Sequence, residues 1–224
     1  MVSGSASTGS ASRESTPTAG RRERNTRDKQ ARIFSAAASL FAEQGFDAVS
    51  TGSVAERADV AAGTVFRYAS SKGELLLMVL NDEFRTLLDD GSRRSAETSD
   101  VARAIVQIVQ PILEYAFAHP ANGAAYQREL LFGRSDDRYR AEGLELVADL
   151  QQRIATRLSD EAQALGLTPD PDRALLVANM IFGVANLAVA RPTTGAHTDR
   201  DALSDIQTQV RIAVDGYVAG LHAP

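Results

Sequence analysis

The chain has 224 residues, no cysteine and a formal net charge of −5. That length suits one or two domains with a real core, while the missing thiols exclude a disulfide scaffold and thiolate chemistry and fit a reducing, cytoplasmic setting. No apolar run is read as reaching the roughly 18 residues of a membrane span, strand signals are nearly absent, and abundant Ala, Leu, Glu and Arg favour an all-α fold.

Residues 1–20 are mostly Ser, Gly, Thr and Ala. They offer little to bury, so they are expected to be disordered, and they lack the pattern of a secretory signal. A basic run, RRERNTRDKQAR, follows. An arm of this kind beside a DNA-binding head can lie along phosphates, which makes Arg24 and Arg27 candidate DNA contacts. The alternative is a solvated run that aids solubility. The disordered arm is taken as 1–24. The first helix is expected over about Thr26–Gln44, with Ile33, Ala37, Leu40, Phe41 and Gln44 on one stripe. Gly45 is its C-cap, because it takes positive φ without penalty.

The stretch from Ser50 to Lys72 carries two short helical patterns around a tight turn. Ser50 and Thr51 suit an N-cap, since their oxygens can accept free first-turn N–H groups. Val54, Ala55 and Ala58 share a face. Asp59 and Val60 form the turn, and a second helix runs over about Ala62–Tyr68. Ser70 and Ser71 then cap a third helix from Lys72. Two short helices joined this way form a helix-turn-helix, whose second helix enters the DNA major groove. Gly63 lets the backbone approach a phosphate. Thr64 can meet a base edge or a thymine methyl, and Arg67 can grip guanine or a phosphate. Tyr68 and Lys72 are placed toward the DNA backbone. The same pattern also fits an αα-hairpin with no DNA role.

The run ARIFSAAASLFAEQGFDAVSTGSVAERADVAAGTVFRYASSKGELL resembles the DNA-binding domain of the tetracycline-repressor (TetR) family. FAEQGFDAVST, AGTVFRY and SKGELL carry the likeness, over about Gln30–Leu76. The resemblance implies an all-α homodimer that represses transcription until a small ligand binds its C-terminal domain. It also implies that Thr51, Thr64, Phe66, Arg67, Tyr68 and Lys72 are DNA contacts. Asp59 replaces a frequent Gly, which Asp tolerates in a left-handed turn. Phe66 stands where Tyr is usual and Ala69 where an aromatic is common.

Charge divides with this organisation. From Arg21 to Lys72 nine Lys/Arg face six Asp/Glu, a balance of +3; from Gly73 onward fourteen face twenty-two, a balance of −8. A basic head attracts phosphate and an acidic body stays off the duplex. The head is assigned to 25–72 and a helical ligand-binding and dimerisation body to 73–224.

In the body, a helix of about 18 residues from Lys72 is expected to stop at Asp89–Ser92. The next carries Pro111, which is expected to interrupt and kink it. Three more lie over about Asn122–Phe132, Asp136–Leu165 and Asp172–Ala190, and the last over about Arg200–Leu221. The last two hold the expected dimer interface: Val177, Met180, Ile181, Val184 and Leu187 on one, Leu203, Ile206, Val210, Ala213, Val214, Tyr217 and Leu221 on the other. Pairs of such helices can form a four-helix bundle on a two-fold axis, though both stripes could equally close a monomer core. A ligand site is an apolar cavity with few polar groups. Candidate lining residues are Met78, Tyr115, Phe117, Tyr126, Phe132 and Phe182, with Asn179 and Asn186 as polar partners. For each aromatic, core packing is the competing role.

His119, His197 and His222 lie at helix ends or loops without metal-ligand spacing. No G-x-S-x-G elbow or phosphate loop is present. The reading is therefore not an enzyme and needs no cofactor. It is a cytoplasmic homodimer bound to double-stranded DNA at an inverted repeat and released by a lipophilic small molecule. Two alternatives stand beside it: an architectural DNA binder without ligand control, and a helical ligand-binding protein that has lost DNA binding.

Overall fold

The computed structural model describes residues 17–197 and 199–222, with side chains from residue 23. Among the described residues there are nine α-helices and no strand, as the composition leads one to expect. Three form the head: α1 (Pro17–Ala48), α2 (Thr51–Arg57) and α3 (Ala62–Val65). The long α4 (Lys72–Ala96) leads into α5 (Val101–Ala118), α6 (Pro120–Phe132) and α7 (Arg138–Ala164). Helices α8 (Pro171–Thr194) and α9 (Ala202–Leu221) complete the chain.

Several boundaries differ from expectation. The backbone is helical from Pro17, so the arm expected to be disordered through residue 24 is helix over 17–24; residues 1–16 lie outside the described residues. Gly45 does take a positive φ, 75°, and breaks α1 near its end. Gln44 is exposed and is not part of the buried stripe, whereas Ile33, Ala37, Leu40 and Phe41 are buried.

Helix α4 runs through the expected stop at Asp89–Ser92. Gly91 is buried in its interior, where a Cβ would lie 2.6 Å from the Gln107 carbonyl oxygen and 2.7 Å from that of Ile108. Helix α5 likewise continues through Pro111, which lacks the N–H that would bond Gln107 four residues earlier. Gly91 therefore presses against a carbonyl that the proline leaves without its helical partner. The glycine and the proline, each a helix breaker alone, fit together as one close crossing.

The core forms two clusters. One joins α1, α2 and α3 to Leu75–Leu80 of α4, and includes Ala125 and Leu130 of α6. The head core thus runs past Lys72, and α4 and α6 belong to both halves of the molecule. The other cluster fills the space between α4, α5, α7, α8 and α9.

Two helices, α5 and α8, are long and apolar enough to cross a membrane, contrary to the expectation that no run would be. Over those windows α5 is 56% buried but α8 only 28%. The first is a core helix; the second carries apolar surface that this chain does not cover. Of the residues expected at the dimer interface, Met180 and Leu187 are on that surface and most of the others are not. Val177, Ile181, Ile206, Val210, Val214 and Tyr217 are buried in the monomer, and Val184 packs half-buried against the same core. Helix α8 has apolar residues on more than one face, so periodicity alone merged inward Val177 and Ile181 with outward Met180 and Leu187. The outward face carries Leu176, Met180 and Leu187, and Ile212 of α9, each at least 60% exposed.

Candidate functional site

The head builds its helix-turn-helix surface on a small core. Ser50 caps α2 by accepting the Ser53 N–H at 3.0 Å, and Ser53 returns the bond to the Ser50 N–H. Thr51 therefore opens the helix and does not cap it. Asp59 turns the chain with a left-handed φ of 50°, as its residue type permits. The Arg32 guanidinium donates to the Asp59 carbonyl and fixes that turn to α1. Glu43 pairs with Arg57 at 2.8 Å and accepts from Ser39, tying α2 to α1. The Ser39 and Arg57 hydrogen bonds hold the Glu43 carboxyl below its ordinary range.

The α-helical part of α3 is only Ala62–Val65, shorter than expected, but the turn continues through bonds from the Tyr68 and Ala69 N–H groups to the Val65 carbonyl. Val65 and Ala69 face inward. Gly63, Phe66 and Arg67 face solvent, with Thr64 and Tyr68 half-buried between them. A Cβ on Gly63 would meet nothing within 4 Å, so its small size serves the outer surface and not the core. The Tyr68 hydroxyl donates to the Thr26 carbonyl at 3.1 Å and joins this turn to α1. Arg24 and Arg27 are exposed on the same helix as Thr26.

Ser71 caps α4 by accepting the Glu74 N–H, as expected of this serine pair. Lys72 has a tie that the sequence did not disclose. Its Nζ donates to the Phe46 carbonyl at 2.9 Å and lies 4.2 Å from the Phe46 ring centre. The ammonium has three donors, so this leaves capacity for a phosphate.

In the body, a cavity of about 100 Å³ lies between α4, α5, α6, α7 and α8. Of the expected lining residues, Tyr115, Tyr126, Phe182 and Asn186 are there. Met78 is not: it is buried in the head core. Phe117 packs against the body core outside the cavity. Phe132 is 82% exposed at the end of α6, and Asn179 is exposed on the outward side of α8. Residue type did not separate these from the lining because helix direction decides which aromatic points inward.

Sequence reasoning missed Glu83 and Gln127, both on the wall. The spacing carried a signal for one of them: Leu76, Leu80, Glu83 and Leu87 stand at i, i+4, i+7 and i+11, so a carboxylate occupies an apolar stripe. Most polar tips in the wall are already satisfied. The Tyr126 hydroxyl donates to Asn81 Oδ1 at 2.9 Å, and Asn81 Nδ2 donates to the Tyr139 carbonyl at 2.7 Å. Burial pushes the Tyr126 phenol well above its ordinary pKa. Gln127 Nε2 donates to Asn186 Oδ1 at 2.9 Å, and Asn186 Nδ2 to the Phe182 carbonyl.

Helix α6 connects this cavity to the head. Its Tyr126 and Gln127 face the cavity, while one turn earlier the buried Asn122 donates from Nδ2 to the Phe41 carbonyl of α1 at 2.9 Å. Ala121 lies against Gly45, the break in α1. Helix α4 makes the same connection, since Leu80 lies in both the head core and the cavity wall.

Residues 33–79 match the family model of the tetR bacterial regulatory proteins. The chain is similar to the HTH-type transcriptional repressor KstR of Rhodococcus jostii (strain RHA1), with 28% identity over 191 residues, 84% of this chain and 82% of that one. Its fold is similar to that of Thermus thermophilus FadR, a TetR-family repressor solved with lauroyl-CoA: TM-score 0.64, 23% identity, covering 83% of this chain and 93% of that chain. It is also similar to RolR, solved with resorcinol: TM-score 0.65, 16% identity, covering 91% and 97%. These two structures share a fold and hold ligands of very different size, so the fold by itself does not select a ligand.

Proposed function

The chain belongs to the tetR family of bacterial regulatory proteins and is a ligand-responsive, DNA-binding transcriptional repressor, not an enzyme; from that premise we propose that it acts in the cytoplasm as a homodimer on an inverted-repeat operator and is released when an apolar ligand enters the body cavity. The observation that carries this reading is the sharing of α4 and α6 between cavity and head. Through Asn81, Tyr126 and Asn122, a change in cavity width alters the angle of the head against the body. A ligand that binds better when the two heads are wrongly spaced lowers operator affinity by the coupling energy.

In this reading Arg67 and Thr64 read base edges, Thr51, Tyr68 and Lys72 hold phosphates, and Gly63 admits the DNA backbone. Phe66 offers an apolar contact, and Arg24 and Arg27 reach the flanking backbone or minor groove. The outward faces of α8 and α9 support the dimer. Leu176, Met180, Leu187 and Ile212 are too large and too exposed to be scattered surface residues on a monomer. Gly183 and Gly216 meet no neighbour within 4 Å and let a second copy approach closely.

The test is selection of bound fragments from a random DNA pool at near-physiological salt, since affinity without salt control is uninterpretable. An enriched inverted repeat with fixed half-site spacing is the expected result. No enrichment over the input would overturn the operator reading.

A further inference from the structure

Two polar side chains in the cavity wall make no hydrogen bond at all among the described residues. Glu83 is half-buried on α4 and makes no hydrogen bond or ion pair among the described residues. The Tyr115 hydroxyl on α5 is likewise without a hydrogen-bond partner there. The two are close enough to interact: burial and then the Glu83 charge push the Tyr115 phenol above its ordinary pKa. Gln127 donates to Asn186, Asn186 to the Phe182 carbonyl and Tyr126 to Asn81, which leaves Gln127 Oε1 as a further acceptor that favours a ligand donor. No Lys or Arg lines the cavity, so Glu83 is the one formal charge in its wall.

A carboxylate offers acceptors only. A ligand that covers Glu83 and brings no donor would leave a desolvated charge unpaired, and an anionic ligand would add repulsion. Size points the same way. A cavity of about 100 Å³ is smaller than the engineered cavity of about 150 Å³ that holds benzene. The Phe84 and Tyr126 rings, stacked with centroids 6.3 Å apart, and Phe182 give it flat aromatic walls.

We propose that the effector is a compact, ring-sized apolar molecule that presents a hydrogen-bond donor, hydroxyl or protonated amine, to Glu83, and that the site rejects carboxylates and acyl-CoA thioesters. This rests on the reading of the cavity as the effector site. The donor bonds Glu83, the Tyr115 hydroxyl donates to or accepts from the same polar end, and the ring lies against Phe84 and Phe182.

The experiment measures direct binding of three molecules with one skeleton, benzylamine, benzyl alcohol and benzoate, with lauroyl-CoA as a fourth probe. Full-length wild-type protein and Glu83→Gln are titrated by calorimetry. In the wild type the amine binds most tightly, then the alcohol, then the benzoate. Glu83→Gln weakens the amine about tenfold, the size expected for losing one charged hydrogen bond, and strengthens the benzoate. Benzoate or lauroyl-CoA binding as tightly as the amine, an unchanged ranking in Glu83→Gln, or no binding by any probe would each overturn the inference. Operator release is read separately by fluorescence anisotropy. If the amine binds in this ranking yet leaves operator affinity unchanged, the donor site stands and ligand-controlled release fails.

Discussion

The head and the body solve opposite problems with the same secondary structure. The head has short helices around a small core, and the side chains it offers to DNA point outward, between buried Val65 and Ala69. Its caps, its left-handed Asp59 and its exposed Arg67 are local features, decided within a few residues. The body has long helices, and its working groups point inward at a cavity shared by five of them. What a body residue does depends on which neighbour it meets. The two regions are then joined by helices that belong to both, which is the physical basis for the proposed control of a local surface by a non-local one.

The largest effects should come from breaking the surfaces that only assembly uses. Leu187→Glu places a charge on the outward face of α8, where Leu187 is 71% exposed. The monomer keeps its fold, sedimentation shows loss of the dimer, and operator binding falls by more than tenfold. Val210→Glu, by contrast, buries the same charge at a fully enclosed position and is expected to unfold the chain. If Leu187→Glu leaves a dimer with full operator affinity, the outward face is not the interface.

Glycines sharpen the comparison next. Gly91→Ala puts a Cβ 2.6 Å from a backbone oxygen, a clash with no flexible neighbour to yield. Overpacking of this kind costs about 3 kcal/mol, seen as a fall in Tm. Gly63→Ala meets open space, so stability is held or gained by up to about 1 kcal/mol. Its penalty should appear only in operator affinity, because the Cβ stands where a phosphate would approach. Loss of stability in Gly63→Ala would place that glycine in the core.

Asn122→Leu removes the buried bond to the Phe41 carbonyl, a cost of about 1 kcal/mol. Beyond stability, operator affinity should respond less to ligand in this variant, which separates a link between the halves from a core contact. In the head, Arg67→Ala is expected to cost about 1–3 kcal/mol and relax specificity at one operator position, whereas Lys72→Ala weakens all sequences about equally. Since Lys72 also holds the Phe46 carbonyl, a small drop in Tm should accompany the second and not the first.

The smallest effect is electrostatic. Arg200 and Arg191 hold the Asp205 carboxyl at about 2, below its ordinary 3.8. A depressed carboxylate contributes stability above its unfolded value, and that contribution is lost as pH falls toward the folded one. Wild type should therefore melt above Asp205→Asn near pH 6, and the two should converge as pH approaches 2. A gap that persists at low pH would mean that the contact is not ionic.

Much of the head was legible because its signals are short-range. Serine caps, the Asp59 turn and the buried Val54–Ala55–Ala58 face each follow from residue type at fixed offsets. The body was legible as helices but not as sites. Gly91 read singly as part of a stop and Pro111 as a kink, whereas the structure sets Gly91 against the turn that the proline leaves without a hydrogen bond, and both helices continue. Four of the eight expected cavity residues line it, because a helix shows several apolar faces and the sequence does not say which one faces in.

By itself, then, the sequence determined an all-helical chain with a basic, capped helix-turn-helix head and an acidic helical body, since propensity, capping and charge are local or additive properties. Tertiary structure alone decided which stripe of α8 is core and which stays uncovered, that Asn122 ties α6 to the head while Asn81 ties α4 to α6 and α7, and that Glu83 stands in the cavity wall unpaired among the described residues. Those are properties of contacts between distant segments, and no window along the chain contains both partners.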